Sequence, residues 1–187
     1  HPGLPLVEEP TPERLRAALE GHGVVTVGTV FRGDKLSGAG TPEELRRAAD
    51  VVLVEADGAK RLPLKAPAEY EPVIPSCTDA VAAVAGMDAV GQAVGAVCHR
   101  PERVCALLGA GAEHVLTPAD AALLLASPQG GRKGVGEAMA FRCVLNKADT
   151  PQRAAHARAV AGRLAERGIH SAITYYREEE RGGLCWF

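Results

Sequence analysis

The stretch TPEELRRAADVVLVEADGAKR (Thr41 to Arg61) decides the reading of the fold. Thr41 suits a helix N-cap, Pro42 suits the first helical position, and Glu43 and Glu44 place negative charge where the helix dipole favours it. The run VVLVEA (51–56) follows at once. A helix leading directly into a near-continuous apolar strand predicts an α/β fold, because the strands of a parallel sheet are covered on both faces. Working outward, HPGLPLVEEPTPE (1–13) is an extended entry to a helix from Pro12 to Glu20, closed by Gly21. VVTVGTV (24–30) reads as a short strand, and FRGDKLSGAG (31–40) reads as turns. Downstream, DAVAAVAGM (79–87), MAFRCVLN (139–146) and IHSAITYY (169–176) are strands, and helices are expected over Pro101 to Leu108, Pro118 to Ala126 and 151–168. The segment KRLPLKAPAEYEPVIPS (60–76) has too many prolines for a helix or a central strand and is a long loop. SPQGGRKGVGEA (127–138) is a glycine-rich loop. The last eleven residues, REEERGGLCWF (177–187), have no periodicity and stay unassigned, leaving one domain over 1–176.

Composition excludes several classes. The chain has 187 residues with 21 Lys plus Arg against 23 Asp plus Glu, so its net charge of −2 gives no basic footprint for nucleic acid or an anionic membrane. No run approaches a bilayer span and no signal peptide opens the sequence, so the expected compartment is the cytoplasm. The five cysteines share no C-x-x-C spacing and read as reduced thiols. The histidines never fall at metal spacing.

Two motifs carry chemistry. Asn146-Lys147-Ala148-Asp149 has the N-K-x-D pattern of guanine-recognising proteins: an Asp carboxylate accepts from the guanine N1–H and 2-amino group, the Asn amide ties the loop or reaches the purine edge, and the Lys stem packs over the base. It lies at the carboxyl end of a predicted strand, where open α/β sheets bind ligands. Asp149 or Thr150 before Pro151 would also serve as a plain helix N-cap. The second motif is Asp57-Gly58 at the end of VVLVEA. An acid there holds magnesium directly or through water, and the glycine lets backbone approach a terminal phosphate. Glu55 competes for that role, while Lys60 and Arg61 lie close enough to contact phosphate. A strand followed by Asp-Gly is also a common turn. A phosphate-cradling G-x-x-x-x-G-K-[ST] loop occurs nowhere in the sequence, and the Gly33-Asp34-Lys35 and Gly131-Arg132-Lys133 runs lack its spacing.

The run EADGAKRLPLKAPAEYEPVIP (55–75), with CHRPE (98–102), LTPAD (116–120), QGGRKGV (129–135) and VLNKAD (144–149), resembles the YqeC family over about residues 24–168. These are accessory proteins of selenium-dependent molybdenum hydroxylases, implicated in making or inserting the selenium-containing cofactor. The resemblance implies a P-loop NTPase-like fold, a mainly parallel sheet flanked by helices. It also implies that the first βα unit with its P-loop precedes His1, so that any hydrolysis belongs to a complete protein and not to this chain alone. Tyr70 stands where the family is expected to carry His. The expected function is a nucleotide-dependent maturation step using GTP or ATP and magnesium. Asp57 and Lys60 then act at the phosphate, and Gly58, Asn146, Lys147 and Asp149 bind the nucleotide. The rival readings are a docking module acting through the 60–75 loop, in which Lys60, Arg61, Lys65 and Glu69 are the residues to test, and a sulfur or selenium carrier using Cys98, whose neighbours His99 and Arg100 would lower its thiol pKa.

Overall fold

The computed structural model describes residues 3–31, 35–176 and 183–186, the last of these as backbone only. His1-Pro2, residues 32–34, residues 177–182 and Phe187 lie outside them. The chain divides into two compact units, His1–Val54 and Glu55–Phe187.

The first unit is built from short pieces. Strand β1 (Leu6–Val7) pairs in parallel with β2 (Thr26–Val27), and β3 (Thr29–Phe31) forms an antiparallel ladder with β4 (Lys35–Ser37), so part of the expected turn region is a hairpin. Helix α1 (Pro12–His22) is capped by Thr11 and ends at Gly23 in the left-handed region, two residues beyond the expected stop. Helix α2 (Pro42–Ala48) begins with a full capping box: Thr41 Oγ1 accepts from Glu44 N–H at 3.3 Å, and Glu44 Oε2 accepts from Thr41 N–H at 3.0 Å. Among the described residues of this unit only Val7 and Leu15 are buried apolar side chains.

The expected strand at 51–56 does not form. Val51, Leu53 and Val54 are exposed, Leu53 at 92%, and among the described residues no neighbouring strand bonds to the run. Val73 N–H donates to the Ala56 carbonyl at 2.9 Å. An apolar β-branched run favours extended backbone, but a strand also needs a ladder partner.

The second unit holds the main sheet. It comprises β5 (Leu64–Lys65), β6 (Ala80–Gly86), α3 (Val94–Val97), β7 (Cys98–His99), α4 (Pro101–Leu108), α5 (Pro118–Ala126), β8 (Ala140–Asn146), α6 (Pro151–Ala165), β9 (Ser171–Tyr175) and β10 (Gly183–Trp186). The four-stranded sheet runs β10-β9-β8-β6, parallel except for β10, while β5 and β7 form a separate parallel pair. Strand β10 lies in the tail that the sequence left unassigned. Phe141, Cys143 and Leu145 of β8 point into one core with Leu124, Leu125, Val160 and Leu164 from α5 and α6. On the opposite face Ala80, Ala82 and Arg142 are exposed and Val84 is 61% exposed, so the helical cover is heavier on one side than the expected two-sided arrangement. The architecture is mixed α/β with mostly parallel strands flanked by helices. No described helix is long and apolar enough to cross a membrane.

Candidate functional site

The site lies at the carboxyl end of β6 and β8, where two loops meet. Gly86 N–H donates to the Pro63 carbonyl at 2.8 Å, which brings the 57–72 segment against the end of β6. A Cβ on Gly86 would stand 2.4 Å from Asp88 Oδ1 and 2.7 Å from Pro63 Cβ, so only glycine permits this approach. Asp88 in turn holds Lys147, with Nζ to Oδ2 at 2.8 Å, while its buried Oδ1 has no hydrogen-bond partner. Thus Gly86 and Asp88 join the two sequence motifs. Asp88 was not singled out from sequence, although it is an acid just past a strand end, as Asp57 was expected to be.

The N-K-A-D loop is anchored by side-chain hydrogen bonds. Asn146 Oδ1 accepts from Lys147 N–H at 2.8 Å and from Thr174 Oγ1 at 2.9 Å, tying the loop to β9. Asp149 Oδ1 accepts from Tyr176 N–H at 2.9 Å, and its Oδ2 stands 3.7 Å from Arg153. The helix cap is Thr150, whose Oγ1 accepts from Arg153 N–H at 3.2 Å, so Asp149 is not spent on that role. A carboxylate has about four acceptor sites, and Asp149 is only half-buried, so it keeps acceptor capacity for an incoming donor pair.

Asp57 belongs to a denser charge cluster. Lys65 Nζ sits among Asp57 Oδ2 at 2.8 Å, Glu71 Oε2 at 3.0 Å and the Gly58 carbonyl at 2.8 Å. Arg100 meets Glu71 through both guanidinium nitrogens, at 2.8 and 3.1 Å, and donates to the Tyr70 hydroxyl at 3.1 Å. The Lys65, Glu71 and Arg100 side chains are 13%, 16% and 19% exposed. Burial alone would raise the Glu71 pKa, but the hydrogen bonds from Lys65 and Arg100 outweigh it and hold the carboxyl below its ordinary value. Lys133, from the glycine-rich loop, donates to the carbonyls of Ala68, Glu69 and Glu71 and pins the segment from a second side.

With its carboxylate engaged by Lys65, Asp57 does not present an open magnesium position, and no group of three or more His, Cys, Asp or Glu converges among the described residues. Glu55 is exposed and takes no part in the cluster.

Backbone conformation marks this edge more sharply than any side chain. Among the described residues four non-glycine positions have positive φ: Lys60 (50°), Arg61 (63°), Arg100 (57°) and Lys147 (61°). All four are cations. The bond from Leu62 N–H to the Ala59 carbonyl at 2.9 Å makes Lys60-Arg61 the two central residues of a turn with φ positive at both, the type I′ arrangement that favours Asn-Gly. Each such residue costs of order 1–3 kcal/mol and persists only when its surroundings hold it.

Cys98 weighs against the carrier alternative and agrees with its place in an apolar run. It is 2% exposed, and burial with the nearby Cys105 pushes its thiol up to about 11, the reverse of the activation a sulfur or selenium carrier needs. His99 and Arg100 adjoin it in sequence, but Cys98 packs in the core while Arg100 is committed to Glu71.

A family model described as YqeC protein matches residues 4–102, which include the Asp57 to Arg100 cluster and stop short of the N-K-A-D loop. A relative from Escherichia coli (strain K12), named "Uncharacterized protein YqeC", is 38% identical over 101 residues, covering 51% of this chain and 40% of the relative. No solved structure matches the chain. The match over residues 4–102 takes in more than half of the sequence, and the chain belongs to the YqeC family.

Proposed function

We propose that the chain binds a phosphate-bearing ligand, a purine nucleoside triphosphate such as GTP or ATP, at the carboxyl edge of its main sheet. In this reading it serves as an accessory protein in the maturation of a selenium-dependent molybdenum hydroxylase or its cofactor. The observation that carries the reading is that all four non-glycine residues with positive φ among those described are lysines or arginines, two of them, Lys60 and Arg61, adjacent in the loop that meets the end of β6. Strain kept at such positions is a hallmark of binding sites, and cations are what a polyphosphate requires.

Asn146 and Lys147 shape the base pocket and Asp149 supplies the acceptor for guanine. Lys60 and Arg61 face the phosphates beside Gly58. Asp57, neutralised by Lys65, holds that lysine in place, and the proposal needs no resident magnesium. P-loop likeness remains part of this proposal and brings no phosphate cradle from within the chain.

The test is calorimetry of GTP and ATP binding to the full chain and to Asp149→Ala. Expected is tighter binding of GTP than ATP, with the preference lost in Asp149→Ala. Equal affinities, or GTP affinity intact in the variant, would remove the purine assignment. A docking module is the second reading, favoured by the exposed Tyr70 and Val73 on a segment pinned by Lys133. It expects Tyr70→Ala to weaken capture of a molybdenum hydroxylase without altering nucleotide affinity.

A further inference from the structure

His99 has no role in the reading above, yet its hydrogen bonding fixes what it can do. Register pairs it with Lys65 across β5 and β7, and its Nδ1 lies 3.3 Å from Arg100 Nη1. A guanidinium has only N–H donors, so the contact requires Nδ1 to accept and places the imidazole proton on Nε2. No described group accepts from that Nε2–H. The ring is held neutral, because burial and the charges of Arg100, Lys65 and Lys60 lower its pKa against the opposing pull of Glu71.

The cations around this ring fall into two sets. Arg100 is committed to Glu71 and Tyr70, and Lys65 to Asp57, Glu71 and the Gly58 carbonyl. Lys60 lies two residues beyond Gly58, whose carbonyl accepts from Lys65 Nζ at 2.8 Å, and Lys65 is the register partner of His99; Lys60 itself is exposed with no acceptor among the described residues. Both nearby acids, Asp57 and Glu71, are already neutralised. What remains for a ligand is one ammonium and one imidazole N–H, with Arg61 next along the strained turn.

We propose that Lys60 and the Nε2–H of His99 form a binding site for a phosphoryl group, Arg61 flanking it at the turn. The proposal rests on the anionic-ligand half of the function above and is independent of the purine half. Such a group has three acceptor oxygens, enough for both donors at once, and bonds of this kind to a charged partner are among the stronger ones.

The experiment is titration of inorganic phosphate, followed by phosphorus NMR and calorimetry, into the full chain and into Lys60→Ala, His99→Ala, His99→Gln and Asp149→Ala. Circular dichroism of each variant confirms the fold. Expected are about tenfold losses of phosphate affinity in Lys60→Ala and His99→Ala. His99→Gln, which restores an N–H donor, should recover most of the loss, and Asp149→Ala should bind phosphate as the native chain does. If phosphate competes with GTP, the group bound is that of a nucleotide; if both bind at once, it belongs to a separate phosphorylated ligand, and either result supports the site. Absence of phosphate binding, or equal binding by the native chain, Lys60→Ala and His99→Ala, overturns it. A loss confined to GTP in Asp149→Ala bears on the base pocket alone.

Discussion

The run Val51 to Ala56 and strand β8 (Ala140–Asn146) are both rich in apolar residues and both lead into an acid-bearing loop, yet only the second is a strand. Strand β8 has β6 on one side and β9 on the other, and its alternate residues Phe141, Cys143 and Leu145 face α5 and α6. The 51–56 run has no ladder partner among the described residues and leaves Leu53 in solvent. The difference carries through to the loops they lead into. After β8, Asn146 and Asp149 are fixed by the neighbouring strand, through Thr174 and the Tyr176 backbone. After 51–56, Asp57 is held by a side chain, Lys65, which also binds Glu71 and through it joins Arg100. One site edge is built by backbone register, the other by charge.

The comparison breaks first at its two leucines. Leu145→Ala removes a side chain with no exposed surface and should cost about 3–4 kcal/mol in denaturant unfolding, whereas Leu53→Ala should cost less than about 0.5 kcal/mol. Equal effects would mean that the 51–56 run is covered in solution.

Charge against register is sharpened at Glu71. Glu71→Gln leaves Arg100 and Lys65 with weaker partners in a partly buried setting and should cost about 2 kcal/mol. Because the folded-state pKa of Glu71 is below its ordinary 4.5, its contribution is complete above pH 4.5 and is lost as pH falls through the lower folded value. His99, also depressed, contributes above its ordinary 6.5 and loses that contribution as pH falls below it. Stability measured from pH 7 downward should therefore decline in two stages, and Glu71→Gln should shrink the more acidic one, to which Asp120 and Glu44 also contribute. On the register side Asn146→Ala removes two hydrogen bonds at an exposed position, for about 1 kcal/mol, with no change in either acid stage.

What the sequence made legible follows the same division. Helices α4 and α5 begin and end where Pro101, Gly109, Thr117 and Pro118 say they should, because capping is decided by a few adjacent residues. The N-K-A-D loop was legible for the same reason: its four residues are contiguous and its tie to β9 follows from strand order. The Glu71–Arg100 pair was not, since 29 residues separate its members and no local pattern announces a long-range ion pair. Asp88 escaped because its importance comes from Gly86 and Lys147, which folding brings to it. The left-handed Lys60-Arg61 turn was hidden for a further reason, since the residues in it are ones that turn chemistry disfavours. Local rules fail there, and the proposed binding role would supply a reason for the conflict.

That conflict gives the most direct measurement. Lys60→Gly relieves the positive-φ strain and removes the cation, so one preparation can be followed both by denaturant unfolding and by calorimetric titration with GTP and inorganic phosphate. The expected result is a chain about 0.5–1 kcal/mol more stable that binds both ligands about tenfold more weakly. A variant that gains stability and keeps its full affinity would contradict the claim that these strained cations hold a phosphoryl group.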